Sequence, residues 1–218
     1  MKILLVKLLS AISIFALIAT ACGEDGNDAA GEQTAGQVTI AEGTVLDLDN
    51  CPDDWDPSEG VTDSQIRLGT SLPQSGQLAA FGTIATGMQY YFDYVNATKP
   101  INGKEIILIA KDDAYEAGRT VANVEEMLDT DNVLGFVGVI GTPNNFAIRP
   151  ITDEACVPQL LNLSGFPFWG DPANYPWTVG NILNYITETN IWCEAIVEEF
   201  GEGARVCLLY TSPSPRDP

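Results

Sequence analysis

Residues 132–141 read NVLGFVGVIG and are apolar almost without interruption. A strand with one wet face alternates apolar and polar residues, so an unbroken apolar run marks a strand covered on both faces, as in a parallel sheet. Outward from it the same unit repeats. Toward the C-terminus, a helical stretch over 144–155 leads to VPQLLNLSG (157–165), a further strand. Toward the N-terminus, NGKEIILIAKDD (102–113) is a turn and a strand, followed by a helix over 116–129 with Val121, Val124, Met127 and Leu128 turned inward. Ahead of these, IRLGTSL (66–72) precedes PQSG and a helix over 79–96. Its Phe81, Ile84, Ala85, Met88, Tyr91, Phe92 and Val95 recur at helical spacing. Beyond the loop through Trp169 and Pro176, a helix spans 182–200 and ARVCLLY (204–210) opens a fifth strand. Successive βα units predict an α/β fold, a doubly wound parallel sheet with helices on both faces.

Such sheets bind ligands at the carboxyl ends of their strands, near a switch in strand order. The loops at that edge carry Ser75-Gly76, then Asp112-Asp113, then Gly141-Thr142-Pro143-Asn144, then Ser164-Gly165. A hydroxyl beside the exposed N–H groups of a helix start is a seat for a carboxylate or another anion. Neither G-x-x-x-x-G-K-[ST] nor G-x-G-x-x-G occurs, so nucleotide phosphate is not the favoured anion. Asp112 and Asp113 are the only acids at the edge; adjacent strand residues point to opposite faces, which makes them a poor catalytic dyad. One is expected to cap the next helix and the other to bond a loop.

Composition narrows the function classes. Of 218 residues, 10 are Lys or Arg and 30 are Asp or Glu, a formal net charge of −20 that argues against nucleic-acid binding. No histidine occurs, which removes Ser-His and Cys-His nucleophile pairs and His-ligated metal. The expectation is no enzyme, no metal and no cofactor.

The N-terminus, MKILLVKLLSAISIFALIATAC, has Lys2 and Lys7 before an apolar stretch too short for a stable span. Residues 1–22 therefore read as an export signal. Ala19-Thr20-Ala21-Cys22 looks like a lipobox that acylates Cys22, although Ala19 stands where Leu is more usual. Ordinary cleavage near Ala21 is the alternative. Either way the protein works outside the cytoplasm, and acylation tethers it to the membrane without a span. Residues 23–63 hold twelve acids and no Lys or Arg, the composition of a flexible acidic linker. A calcium site from Asp47, Asp49, Asp53, Asp54 and Asp56 matches no EF-hand spacing. At the other end, CLLYTSPSPRD (207–217) resembles the translation of a sequencing-library adapter, so 207–218 is expected not to be native and the chain to be a gene fragment. With Cys22 lipidated, Cys51, Cys156 and Cys193 cannot all pair with one another, and the spacing leaves open which do.

Several stretches carry a resemblance: LGTSLPQSGQLAAFG (68–82), YFDYVNA (91–97), NGKEIILIAKDDAYEAGRTV (102–121), GFVGVIGTPNN (135–145) and EACVPQLLNLSG (154–165). In this order they resemble the N-terminal lobe of branched-chain amino-acid-type, leucine-binding-protein-like substrate-binding proteins of ABC transporters, which have the two-lobed type I periplasmic binding fold. The similarity runs over 66–206. It implies an amino-acid-like solute, held between the lobes and handed to a membrane permease. Thr142, Pro143 and Asn144, with Ser164 and Gly165, fall where relatives hold the solute's carboxylate and amino group. Phe81 falls where an aromatic covers the site, and Ser75 and Tyr115 lie near the same rim. Phe166, Phe168 and Trp169 either favour an apolar or aromatic solute or pack against the opposing lobe. The resemblance further implies a ligand-binding lobe over 64–173, a hinge at 174–178, and the start of a second, mostly missing lobe up to 206. An extracellular sensor domain of the same fold is the alternative.

Overall fold

In the computed structural model the described residues are 36–41 and 44–207; the signal segment, Cys22, the first part of the acidic linker and the stretch after Cys207 lie outside them. The first elements form an antiparallel hairpin, β1 (Gln37–Ala41) with β2 (Thr44–Asp47). The main sheet follows as β3 (Gln65–Leu72), α1 (Thr83–Thr98), β4 (Glu105–Asp112), α2 (Ala117–Asp129) and β5 (Gly135–Val137). It continues as α3 (Thr142–Glu154), β6 (Gln159–Asn162), β7 (Thr178–Gly180) and α4 (Tyr185–Phe200).

The sheet has five strands in the order β4-β3-β5-β6-β7, all parallel. The chain moves from β3 outward to β4, then returns past β3 to β5 and continues in the opposite direction. Right-handed crossovers therefore place α1 on one face and α2 with α3 on the other. The reversal makes the carboxyl ends of β3 and β5 the switch point, where the following loops part and leave a crevice. Val124, Met127, Val133, Phe136, Val139 and Ile148 fill the α2/α3 side, while Leu72, Ala85 and Ile140 pack on the α1 side. The residues of 132–141 thus supply both cores, which is why that run has no polar alternation.

Regular pairing in that run is limited to Gly135–Val137. Gly138 turns left-handed at φ +65°, and Ile140 rejoins Leu163 through a single bridge. Two expectations need correcting. The segment 36–63 is not a loose tether. Cys51 is disulfide-bonded to Cys156 across 105 residues, Trp55 donates its indole N–H to the Cys156 carbonyl at 3.1 Å, and Trp55 packs edge-on against Trp177 at 5.8 Å. Local composition is blind to a cross-link and to aromatic residues that find partners far along the chain. Of the aspartates weighed for calcium, Asp47 accepts from the Asp49 N–H. Asp56 accepts from Ser58.

The second correction concerns the hinge. Thr178–Gly180 pairs in parallel with β6, with a register shift between Leu160 and Asn162, as the edge strand of this sheet, so strand pairing runs through Thr178, where the hinge was expected. Three residues after Pro176-Trp177 are too few for a periodic signal. Residues 204–207 form no strand, and the rest of that expected strand lies outside the described residues. Cys193 is an exposed free thiol on α4. Among the described residues no helix is long and apolar enough to cross a membrane.

Candidate functional site

Two loops meet at the switch point. The first ends the irregular part of the 132–141 run at Gly141, which adopts φ +97°, a conformation that strains any side-chain-bearing residue. Gly141 is the N-cap of α3, with Pro143 in the first turn, where its missing N–H costs nothing. No side chain caps this helix start, so its first N–H groups face the crevice. The second loop brings Ser164 after β6. The hydroxyls of Thr142 and Ser164 lie 2.7 Å apart, and Ser164 Oγ also accepts from the Phe166 N–H.

Proton counting gives this pair a direction. Of its two hydroxyl protons, one is used between the partners and one is left over. Ser164 is 1% exposed whereas Thr142 is half-buried, so a leftover proton on Ser164 would be buried. Donation from Ser164 to Thr142 leaves the Thr142 O–H to donate outward. Together with the uncapped α3 N-terminus, such a donor suits an oxyanion chemically.

Beneath it lies a polar network. Asp113 is fully buried and accepts from Ser71 Oγ (2.9 Å), Thr120 Oγ1 (3.1 Å), Asn144 Nδ2 (3.2 Å) and the Tyr115 N–H (2.8 Å). It ties β3, α2, α3 and the β4–α2 loop into one rim. Asn144 is fully buried with its amide given to Asp113, and its Oδ1 is buried without a partner. Asp112 points the other way. It accepts from Ser75 Oγ and from the N–H groups of Gln74, Ser75 and Ala114. The Ser75 hydroxyl and then these amides hold its carboxyl down at about 2. Ser75 thus shapes its own loop, and Phe81 stands about half exposed on the turn Ala79–Gly82. The two acids divide as loop anchor and buried strut.

Tyrosines flank the seat. Tyr115 sits at φ +66° with its ring over the α-carbon of Gly141, where an added Cβ would come within 2.4 Å. Burial, then the neighbouring Tyr185, then Asp113, push its phenol pKa upward. Gly165 is covered in the same way by Tyr185, a residue the sequence did not single out. Phe166 and Trp169 are occupied elsewhere: both pack on Phe146, at 4.8 and 4.9 Å, and Arg149 lies over Trp169. Phe168 remains exposed.

A cavity of about 530 Å³ lies elsewhere. It lies between β2, the C-terminal end of α3 (Asp153, Glu154) and the 172–177 loop, at the amino edge of the sheet. Burial raises the Asp153 pKa there, against a Trp177 amide bond and Arg149 that lower it.

A family model described as periplasmic binding protein matches residues 65–216. A solved structure from Rhodopirellula baltica, a possible leucine/isoleucine/valine-binding protein, is 28% identical with a TM-score of 0.57, covering 63% of this chain and 37% of that one. A substrate-binding periplasmic protein from Ralstonia solanacearum is 31% identical, also at 0.57, covering 62% and 38%. An amino acid binding protein of Pseudomonas aeruginosa is 29% identical over 93 residues, 42% of this chain and 25% of that relative. The chain thus spans little more than a third of the length of these solved structures and a quarter of the curated relative.

Proposed function

This chain belongs to the periplasmic binding protein family, and on that premise we propose that it carries the first ligand-binding lobe of a solute-binding lipoprotein of an ABC importer. The solute is an amino acid or a similar small carboxylate. It is bound and released unchanged, as expected from relatives described as binding proteins. The observation that carries this reading is the uncapped start of α3 beside the Thr142–Ser164 pair, with a single hydroxyl proton free to donate. Carboxylate recognition suits a site whose buried carboxyl, Asp113, already accepts from four donors below it. Relatives that include an amino acid binding protein and a possible leucine/isoleucine/valine-binding protein support the same class.

A second lobe, in sequence beyond this chain, closes over the solute and presents it to a membrane permease. Cys22, acylated at the new N-terminus, holds the protein at the outer face of the membrane. Radiolabelled palmitate should enter the wild type but not Cys22→Ser.

The solute reading is tested by calorimetric titration of the full-length protein with L-leucine, L-phenylalanine and L-serine. Thr142→Ala removes the outward donor of a charge-assisted bond worth about 1.5–3 kcal/mol, so affinity falls by about tenfold or more. Unchanged affinity in both Thr142→Ala and Ser164→Ala would sink the assignment.

A further inference from the structure

Gly165 lacks the usual reason for a glycine, since its φ lies outside the left-handed region. What demands glycine there is Tyr185: a Cβ on Gly165 would come within 2.4 Å of the Tyr185 ring and 2.5 Å of the Leu183 carbonyl. The Tyr185 N–H also donates to the Gly165 carbonyl at 2.7 Å. Asn184 caps α4 by accepting from the Ile186 N–H at 2.8 Å, which fixes Tyr185 as the first residue of the helix. Tyr185 serves no core, because α4 has no buried residue and Tyr185 is itself 44% exposed. Its ring is committed to the glycine next to Ser164 and has a face left over.

We propose that Tyr185 is a specificity-determining residue of the solute site, walling the Thr142–Ser164 seat opposite Tyr115 so that the solute is a carboxylate with an apolar or aromatic body. The inference rests on the solute-binding reading above. Tyr115 covers Gly141 as Tyr185 covers Gly165, so each hydroxyl of the pair adjoins a glycine roofed by a ring. The two side chains are close enough that Tyr185 helps to push the Tyr115 phenol pKa upward. Beyond the hydroxyl donors, this rim offers ring faces; its buried carboxylate, Asp113, is saturated. Ring faces reward apolar area, whereas a sugar or a small hydroxylated solute would leave its hydroxyls unpaired against them.

The test compares Tyr185→Ala and Tyr185→Phe with the wild type in the full-length protein, titrated with L-phenylalanine, L-leucine and L-serine. These share the carboxylate and ammonium and differ in the body that the wall should sense. Wild type should prefer the two apolar probes to L-serine. Tyr185→Ala should weaken those two by about tenfold or more while moving L-serine by less than about threefold, and Tyr185→Phe, which keeps the ring, should preserve the preference. An equal loss for all three probes in Tyr185→Ala, or no loss, overturns the inference, as does a Tyr185→Phe protein as impaired as Tyr185→Ala. If Thr142→Ala abolishes binding while Tyr185→Ala leaves the preference intact, only the Tyr185 inference falls. If the wild type binds none of the three, the amino-acid reading falls and this inference with it.

Discussion

Removal of the Cys51–Cys156 disulfide should cost the protein a large share of its stability. The perturbation is Cys51→Ala, which leaves Cys156 as a buried thiol that packs as a small apolar group. The cross-link closes a loop of 105 residues. In the chain-entropy account, freeing the denatured chain from a loop of that length removes about 4.7 kcal/mol of stability. Domains are typically stable by about 5–15 kcal/mol, so a third or more of the margin would go. The Trp55 indole bond to the Cys156 carbonyl and the Trp55–Trp177 contact survive in the variant, and they set what still holds the segment. Equilibrium urea unfolding is the assay: with an m-value of about 2 kcal/mol/M, the midpoint should fall by roughly 2 M. Limited proteolysis gives a second readout, with new cleavage expected between residues 36 and 63. A loss below about 1 kcal/mol, with m unchanged, would refute the loop-closure reasoning and assign the docking of 36–63 to noncovalent contacts alone.

Acid should destabilise the fold in part through Asp112. Its folded pKa, about 2, lies below the ordinary 3.8, so its contribution is complete above the unfolded value and is lost as pH falls through 2. Asp112→Asn should therefore flatten the decline in unfolding free energy between about pH 5 and pH 2, and Ser75→Ala, which removes the largest cause, should do so partly. Asp113→Ala strands the Ser71 hydroxyl, the Asn144 amide and the Tyr115 N–H, while Thr120 keeps the Glu116 carbonyl, and should cost about 3 kcal/mol or more by urea unfolding, with Asp113→Asn losing less.

Much of the rim was legible because loop chemistry is local. Thr142 and Ser164 followed from finding hydroxyls after apolar strands, and the opposite facing of Asp112 and Asp113 followed from strand alternation, but neither acid caps α2 as expected, since its N-cap is Glu116 without a side-chain bond. Tyr115 lies against Gly141, and the Asn144 amide is taken by a buried carboxyl 31 residues earlier, contacts that no local pattern encodes. Tyr185 was not legible. It opens a helix whose sequence says nothing of Gly165, and only the absent side chain of that glycine betrays the contact.

The sequence by itself determined the βα order, the covered central strand, the acidic balance and the loops that bear the site, because period and turn chemistry are set by near neighbours. The tertiary structure alone decided that 36–63 is docked, that Cys51 chooses Cys156 and that Thr178–Gly180 closes the sheet edge. It also brought the Thr142 and Ser164 hydroxyls together and set the Tyr115 and Tyr185 rings against Gly141 and Gly165. Each of these depends on groups distant in the chain meeting in space, and no local pattern encodes which partner a cysteine, an indole or an edge strand will find.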